Sequence, residues 1–194
     1  MTVWHWVRHG PTHEKSFVGW RDVPADLSDI TMIERVRGHL PQKAVMVSSD
    51  LIRSVATADA LTGLAHTRLP HEKDLREIDF GVWDGMRFDA VAARDPELSR
   101  AFWEKPGDIA APDGESWNQT AARVDRVVDR LSAAHPDTHI IAVAHFGVIL
   151  TQVQRASGVS AYEAMSHKID NISVTTLHHA GGEQWRVEQI NHLP

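Results

Sequence analysis

Apolar and polar positions along the chain alternate in blocks that predict strands followed by helices. The first block, residues 2–8, carries Trp4 and Trp6 at even positions and Val3 and Val7 at odd positions. Because alternate residues of a strand point to opposite faces, both faces of this strand are predicted to be buried. A central strand of a parallel sheet covered by helices on both sides has this pattern.

The same order of elements continues to the end of the chain. A cap for the helix after the second strand is predicted at Ser49 or Asp50. The repeated βαβ order predicts an α/β fold, a three-layer α/β/α arrangement with a mostly parallel, doubly wound sheet. The further predicted strands cover residues 44–48, 66–70, 139–144, 171–178 and 184–190, and the predicted helices cover 51–61, 117–131 and a segment from about 148.

One stretch, residues about 83–116, departs from this order and is predicted to form a small helical cap over an edge of the sheet. Its prolines are Pro96, Pro106 and Pro112. We predict that residues 1–194 form a single domain with this cap as an insertion. The tryptophans Trp83, Trp103 and Trp117 are expected to pack in the core or the cap, and they are also candidates for pocket walls.

Composition and charge narrow the function. The chain has 194 residues, is 42% hydrophobic and carries a formal net charge of −6, which argues against a nucleic acid or an anionic membrane as partner. The absence of cysteine excludes disulfides and thiolate catalysis. No apolar segment is long enough to span a membrane, so a cytoplasmic protein is expected. The oligomeric state stays open, and a homodimer is one option.

Four polar segments follow predicted strands. Arg8 and His9 end the first strand, Arg53 lies one turn into the helix after the second, Glu77 follows the third, and His145 follows the strand over 139–144. Ligands of open α/β sheets bind at the carboxyl ends of the strands, so these side chains are expected to converge there. Arginine suits phosphate oxygens, and a neutral histidine is a potential nucleophile near pH 7.

These segments resemble the histidine phosphatase superfamily, which includes the cofactor-dependent phosphoglycerate mutases. The matching pieces, in family order, are VRHGPT, SSDLIRSVATA, LREIDFGVWDG, PDGES and AVAHFGV. The resemblance implies that His9 is the nucleophile that becomes phosphorylated and that Glu77 is the proton donor. It also implies that Arg8, Arg53 and His145 form the phosphate pocket.

The same motifs contain Gly10, Thr12 and Phe146, which are assigned to the phosphate site as well. The resemblance also implies an α/β sheet with helices on both faces and a cap inserted after Glu77. No metal site and no cofactor are expected, because the cationic side chains can stabilise the charge of the phosphate. Should Glu77 not be the acid, Asp79 or Asp84 would be the candidate.

The expected function is hydrolysis of a small phosphorylated metabolite through a phosphohistidine on His9. A mutase is the first alternative, favoured by the segment GWRDVPADLS (19–28), whereas the short segment between Glu77 and Asp113 favours the phosphatase branch. A non-catalytic module that binds a phosphorylated ligand is the second. The substrate stays open among alpha-ribazole phosphate, sugar phosphates, phosphoglycerate and others.

A row of arginines on the predicted helix 117–131 is given a different role. Arg123, Arg126 and Arg130 recur at helical spacing beside two aspartates, and this pattern predicts a solvated face rather than a phosphate patch.

Overall fold

A computed structural model describes all residues, 1–194, and its centre is one sheet of six strands. The order across the sheet is β3-β2-β4-β1-β5-β6. The first four of these strands are parallel to one another, β5 pairs antiparallel with β1, and β6 pairs antiparallel with β5. The strands are β1 Thr2–Arg8, β2 Ala44–Ser48, β3 His66–Arg68, β4 His139–Ala144, β5 Val174–Gly181 and β6 Gln184–His192.

Helices cover both faces of the sheet, which confirms the predicted mixed α/β fold. On one face, Trp4 and Trp6 of β1 pack with the helices α5 and α6, and on the other Val7 packs with α1 and α2. The helices are α1 Ile30–His39, α2 Ile52–Leu61, α3 Phe88–Arg94, α4 Pro96–Glu104, α5 Trp117–Ala134, α6 Phe146–Ser157 and α7 Ala161–Ala164.

Most predicted elements form within a few residues of their expected ends, and the exceptions have local causes. The predicted cap at Ser49 or Asp50 is wrong, because Leu51 is the N-cap and makes no side-chain bond. The exposed N–H of Ile52 is instead bonded by Asp22, 2.7 Å away, from a distant loop. Sequence pattern alone cannot identify a cap supplied from 30 residues away.

Residues 84–116 hold the short helices α3 and α4 between two turns. Trp83 and Trp117 are buried in the core, whereas Trp103 is only partly buried and faces a cavity described below. None of the helices has the length and apolar character that crossing a bilayer requires.

Candidate active site

The last residues of β1 lie at the carboxyl edge of the parallel strands, and hydrogen bonds from two sides hold the backbone there. The N–H of His9 donates to Ala144 O of β4 at 3.1 Å, and the amide of Asn171 donates to His9 O at 2.9 Å. Ile172 donates its N–H to Arg8 O at 2.8 Å and has a φ of 61°. This left-handed conformation is unfavourable for a β-branched residue, so the surrounding contacts must hold it in place.

The ring of His9 is held so that one nitrogen is left for chemistry. Nδ1 lies 2.7 Å from Gly10 O, an acceptor only, so Nδ1 carries the proton and Nε2 keeps its lone pair. Burial lowers the pKa of His9 to about 3, and the charge of Arg53 acts in the same direction. His9 is therefore neutral at ordinary pH and able to attack an electrophile.

The predicted phosphate residue Gly10 is placed differently from the others. Its N–H donates to the Thr57 hydroxyl at 3.0 Å, and its carbonyl holds His9. Neither backbone group is left for a ligand. Gly10 thus orients His9, while Thr12 lines the cavity in front of His9.

Two arginines flank His9, and each keeps part of its guanidinium unpaired. Arg8 donates from Nη1 to Ile169 O at 2.7 Å, and its buried Nε has no partner. Arg53 is fully buried, donates to Arg21 O and Gly19 O at 2.8 and 2.6 Å, and also leaves Nε without a partner. Buried unpaired donors are costly, so this site favours an anion that would accept from them.

The second histidine, His145, lies beside the first, with ring centres 5.1 Å apart. Its Nε2 is 2.7 Å from the Ser49 hydroxyl and 3.2 Å from the Ser54 hydroxyl, and its buried Nδ1 has no partner. Burial, followed by the charge of Arg53, lowers its pKa well below the usual value. A neutral His145 that accepts from the serines at Nε2 would offer an Nδ1–H donor to a ligand.

Glu77 is buried and faces the same cavity as Arg8 and His9. Its Oε1 accepts the N–H groups of Ile78 and Gly147 at 2.9 and 3.0 Å, and its Oε2 has one longer contact, 3.1 Å, to Gly147. Burial raises the pKa of Glu77, although these N–H groups oppose the shift. The carboxyl group therefore holds its proton to higher pH than an exposed glutamate does.

Gly147 at the start of α6 makes this arrangement possible. A Cβ at this position would lie 2.5 Å from Glu77 Oε1 and 2.8 Å from Ile78 Cδ1. Only a glycine lets the helix backbone approach the carboxylate so closely. The neighbouring Phe146 stacks over the guanidinium of Arg8 at 5.5 Å, so it borders the phosphate residues through Arg8.

The prediction that Arg123 belongs to a solvated face is wrong. Arg123 is 5% exposed and pairs with Glu115 through two 2.8 Å bonds. It also donates to the carbonyls of Asp74, Arg76 and Glu77 at 2.7–2.8 Å, and so holds the loop that carries Glu77. Burial opposes ionisation of Glu115, but the bond from Arg123 lowers its pKa overall.

We expect Arg123→Met to reduce the free energy of unfolding by about 3–5 kcal/mol, because it removes the cation paired with the partly buried Glu115 carboxylate and the donor to the carbonyls of Asp74 and Arg76. Chemical denaturation measures this. Arg126→Met is the matched control, since Arg126 lies on the same helix with a side chain 68% exposed and should change stability by less than about 0.5 kcal/mol. Equal stability of the two variants would contradict the assignment of Arg123.

Stability should also fall in acid because of His9. Its pKa is about 3 in the folded protein against 6.5 when unfolded, so between these values the unfolded chain binds the additional proton. The free energy of unfolding should therefore decrease as pH falls from about 6.5 towards 3. Thermal unfolding of His9→Gln should show a weaker dependence on pH than wild type in this range. A His9→Gln curve parallel to wild type would contradict the neutral, buried His9.

Several residues of the site escaped sequence reasoning. Ser54 and Thr57 contact His145 and Gly10, and both are fully buried on α2 beside Arg53. The sequence did contain a signal for both, because they share a helix face with the apolar residues Ala58 and Leu61. Asn171 had no such signal, since its role depends on how the chain before β5 folds back on β1.

Elsewhere in the molecule, no group of three or more His, Cys, Asp or Glu side chains is arranged to hold a metal ion. A cavity of about 490 Å³ lies at the other end of the sheet, near Met1 and Arg155, and none of the residues of the candidate active site line it.

Comparison with known proteins agrees with this geometry. The family model described as histidine phosphatase superfamily (branch 1) matches residues 5–193. The bifunctional protein Rv2228c of Mycobacterium tuberculosis is 30% identical over 182 residues, which cover 91% of this chain and 47% of that protein. Phosphoglycerate mutase-like protein 4 of Arabidopsis thaliana is 28% identical over 198 residues, which cover 96% of this chain and 85% of that protein. The chain thus spans about half the length of the first of these relatives.

Solved structures show the same fold over nearly the whole chain. Mycobacterial hydrolase 1 superposes with a TM-score of 0.86 at 26% identity, covering 99% of both chains. Mycobacterial glucosyl-3-phosphoglycerate phosphatase gives 0.84 at 26% identity, covering 97% of this chain and 98% of its own. With the family model matching almost every residue, the chain belongs to the histidine phosphatase superfamily.

Proposed function

We propose that the protein hydrolyses phosphomonoesters of small metabolites through a phosphohistidine on His9. The observation that carries this proposal is the neutral His9, with Nε2 free, beside the partly buried Arg8, the buried Arg53 and a carboxyl group of raised pKa. Relatives named as phosphatases, among them a metal-independent phosphoserine phosphatase of Arabidopsis thaliana at 25% identity, support the reaction class. We also propose that the chain is one histidine phosphatase domain with residues 83–116 as its cap.

Binding of the phosphate would satisfy donors that have no partner inside the protein. The phosphate of a monoester carries between one and two negative charges near neutral pH. Arg8 and Arg53 would bind its oxygens through their unpaired N–H groups, and His145 would add Nδ1–H. Backbone carbonyls already fix both arginines. Transfer of the phosphate oxygens from water into the site therefore costs less free energy than it would with mobile side chains.

The first chemical step transfers the phosphoryl group to His9. Nε2 of His9 forms a bond to phosphorus as the bond to the ester oxygen breaks, and the electron pair of that bond goes to the oxygen. Glu77 gives its proton to this oxygen, so the alcohol leaves neutral. Oε2 is the oxygen suited to carry the proton, because Oε1 already accepts two N–H groups.

The second step returns the enzyme to its initial state. The carboxylate of Glu77 accepts a proton from water as the water oxygen attacks the phosphohistidine, and the phosphorus–nitrogen bond breaks. Inorganic phosphate leaves, His9 regains its neutral ring and Glu77 regains its proton. The arginines stabilise the phosphoryl oxygens in both steps.

We expect release of inorganic phosphate from 4-nitrophenyl phosphate and from alkyl phosphates at an unchanged rate in excess chelator. The reason is that the charge of the transferred group is met by Arg8, Arg53 and His145. A colorimetric phosphate assay with and without chelator measures this. Activity that is lost in chelator and restored only by a divalent ion would contradict a metal-independent reaction. Accumulation of a phosphorylated isomer without phosphate would indicate a mutase, and binding without turnover a non-catalytic module.

A further inference from the structure

The cavity in front of His9 has a largely aromatic lining. It has a volume of about 270 Å³, and the aromatic side chains that line it are Phe17, Phe80, Phe88, Trp103 and Phe146. Phe17 is at the centre of this group, with ring centres 4.6 Å from Phe88, 4.9 Å from Phe80 and 6.1 Å from Trp103. We call these five side chains the aromatic wall.

The cavity in front of His9 is poor in positive charge. Arg8 is the only cation that lines the cavity, and it belongs to the proposed phosphate site. The carboxylate of Glu14 also lines the cavity and would repel an anion. Arg21 lies nearby, but its guanidinium is occupied by Asp84 at 3.1 Å and Glu14 at 3.2 Å. A leaving group with a carboxylate would therefore lose water without gaining a cation, which is costly.

The aromatic wall continues beyond this cavity. A second cavity of about 370 Å³ shares Phe17, Phe88 and Trp103 and extends between α3 and α4, where Val91, Pro96 and the exposed Arg100 line it. Phe88 is 61% exposed although it is a large apolar side chain on α3. An exposed aromatic that borders two apolar cavities is typical of a ligand-binding surface.

We propose that the aromatic wall binds the alcohol part of the substrate, and that this alcohol is uncharged, apolar and carries a ring. Phe88 and Trp103 are the specificity-determining residues, because they lie on α3 and α4 and line both cavities. This inference rests on the proposed function and adds the substrate class to it. Rings can stack against Phe88 and Trp103 and displace water from the apolar wall.

A pair of substrates with similar leaving groups tests this selectivity. 3-Phenylpropyl phosphate and 3-carboxypropyl phosphate are both primary alkyl esters, so they differ mainly in the group that meets the aromatic wall. We expect kcat/KM to be at least about tenfold higher for the phenylpropyl ester. Equal values, or preference for the carboxypropyl ester, would overturn the proposal.

Variants of the wall test the assigned residues. Phe88→Ala and Trp103→Ala should raise KM for 3-phenylpropyl phosphate several-fold, with a smaller effect on kcat, because they remove binding to a non-reacting part of the substrate. Methyl phosphate has no ring, so its KM should rise less than that of 3-phenylpropyl phosphate. Phe88→Leu should retain most of the preference. Tyr162→Ala is the matched control, since Tyr162 is also 61% exposed but lies on α7.

A charge reversal completes the experiment. Phe88→Arg places a cation on the wall at an exposed position and should shift preference towards 3-carboxypropyl phosphate by about tenfold or more. An unchanged preference in all three Phe88 variants would overturn the role of this residue. Failure of the proposed function looks different, because then neither methyl phosphate nor 4-nitrophenyl phosphate would release phosphate with the wild-type protein.

Discussion

His9→Ala should abolish phosphate release and leave no covalently bound phosphate on the protein. Wild-type protein, quenched in alkali during turnover of labelled substrate, should carry one acid-labile phosphate, as expected for a phosphohistidine. The physical reason is that His9 has a lone pair at Nε2, enforced by the Gly10 carbonyl at Nδ1, and no other neutral nucleophile is held in the same way beside Arg8. Loss of a covalent nucleophile is expected to reduce kcat by several orders of magnitude.

The measurement requires a control for the many other histidines, of which the chain has 13 in total. His13→Asn is suitable, because His13 lies on the same loop but is bonded to Asp26 at the surface, and asparagine tolerates its φ of 58°. This variant should be labelled as wild type is. Labelling of His9→Ala at the wild-type level would show that another group, with His145 the nearest, is the nucleophile.

Arg53→Ala gives a complementary result. Arg53 donates to two carbonyls, and its Nε–H is left for the phosphate. Loss of this side chain should destabilise the transition state by on the order of 2–4 kcal/mol while His9 stays in place. Residual labelling at high substrate concentration is expected. The contrast with His9→Ala separates phosphate binding from nucleophilic attack.

The convergence of the residues assigned to the proposed site could be predicted because several of them follow strands of one parallel sheet. Arg8, His9 and His145 directly follow β1 and β4, which are neighbours in the sheet, so their convergence is a consequence of topology. Glu77 was predicted from its motif, and the structure adds its bonds to Ile78 and Gly147.

Residues whose role depends on distant contacts could not be predicted in this way. Asn171 holds His9 O from 162 positions away, and Asp22 bonds the first turn of α2 from another loop. Arg123 was misassigned because it repeats the spacing of Arg126 and Arg130. The helical period does not separate Arg123 from Arg130, because residues seven positions apart lie on nearly the same face of a helix. Arg123 is buried because the loop that carries Glu77 packs on it.

Glu77→Gln should slow the first step strongly for alkyl phosphates and much less for 4-nitrophenyl phosphate. An alkoxide is too basic to leave without a proton, whereas 4-nitrophenolate is stable without one, so only the alkyl ester depends on the acid. The glutamine keeps the shape of the side chain, and its Oε1 can still accept from Ile78 and Gly147. We expect a loss of about 10²–10⁴-fold in the alkyl phosphorylation rate, the usual contribution of a general acid.

The dependence on pH follows from the raised pKa of Glu77. The acid acts only while protonated, so the alkyl phosphorylation rate should decrease as pH rises through this pKa, which lies above the usual value of 4.5. In Glu77→Gln this decrease should disappear. Rapid-quench measurement of the burst is required, because Glu77 also assists water in the second step and steady-state rates combine both.

Asp79→Asn provides the control, since Asp79 was an alternative acid and accepts the N–H of Gly81 outside the cavity. It should keep the wild-type difference between alkyl and aryl esters. Asp84, the other alternative, is already occupied by three backbone N–H groups and by Arg21. If Glu77→Gln slowed the burst equally for both esters, while Asp79→Asn slowed only the alkyl ester, the proton would come from Asp79 and Glu77 would only position the substrate.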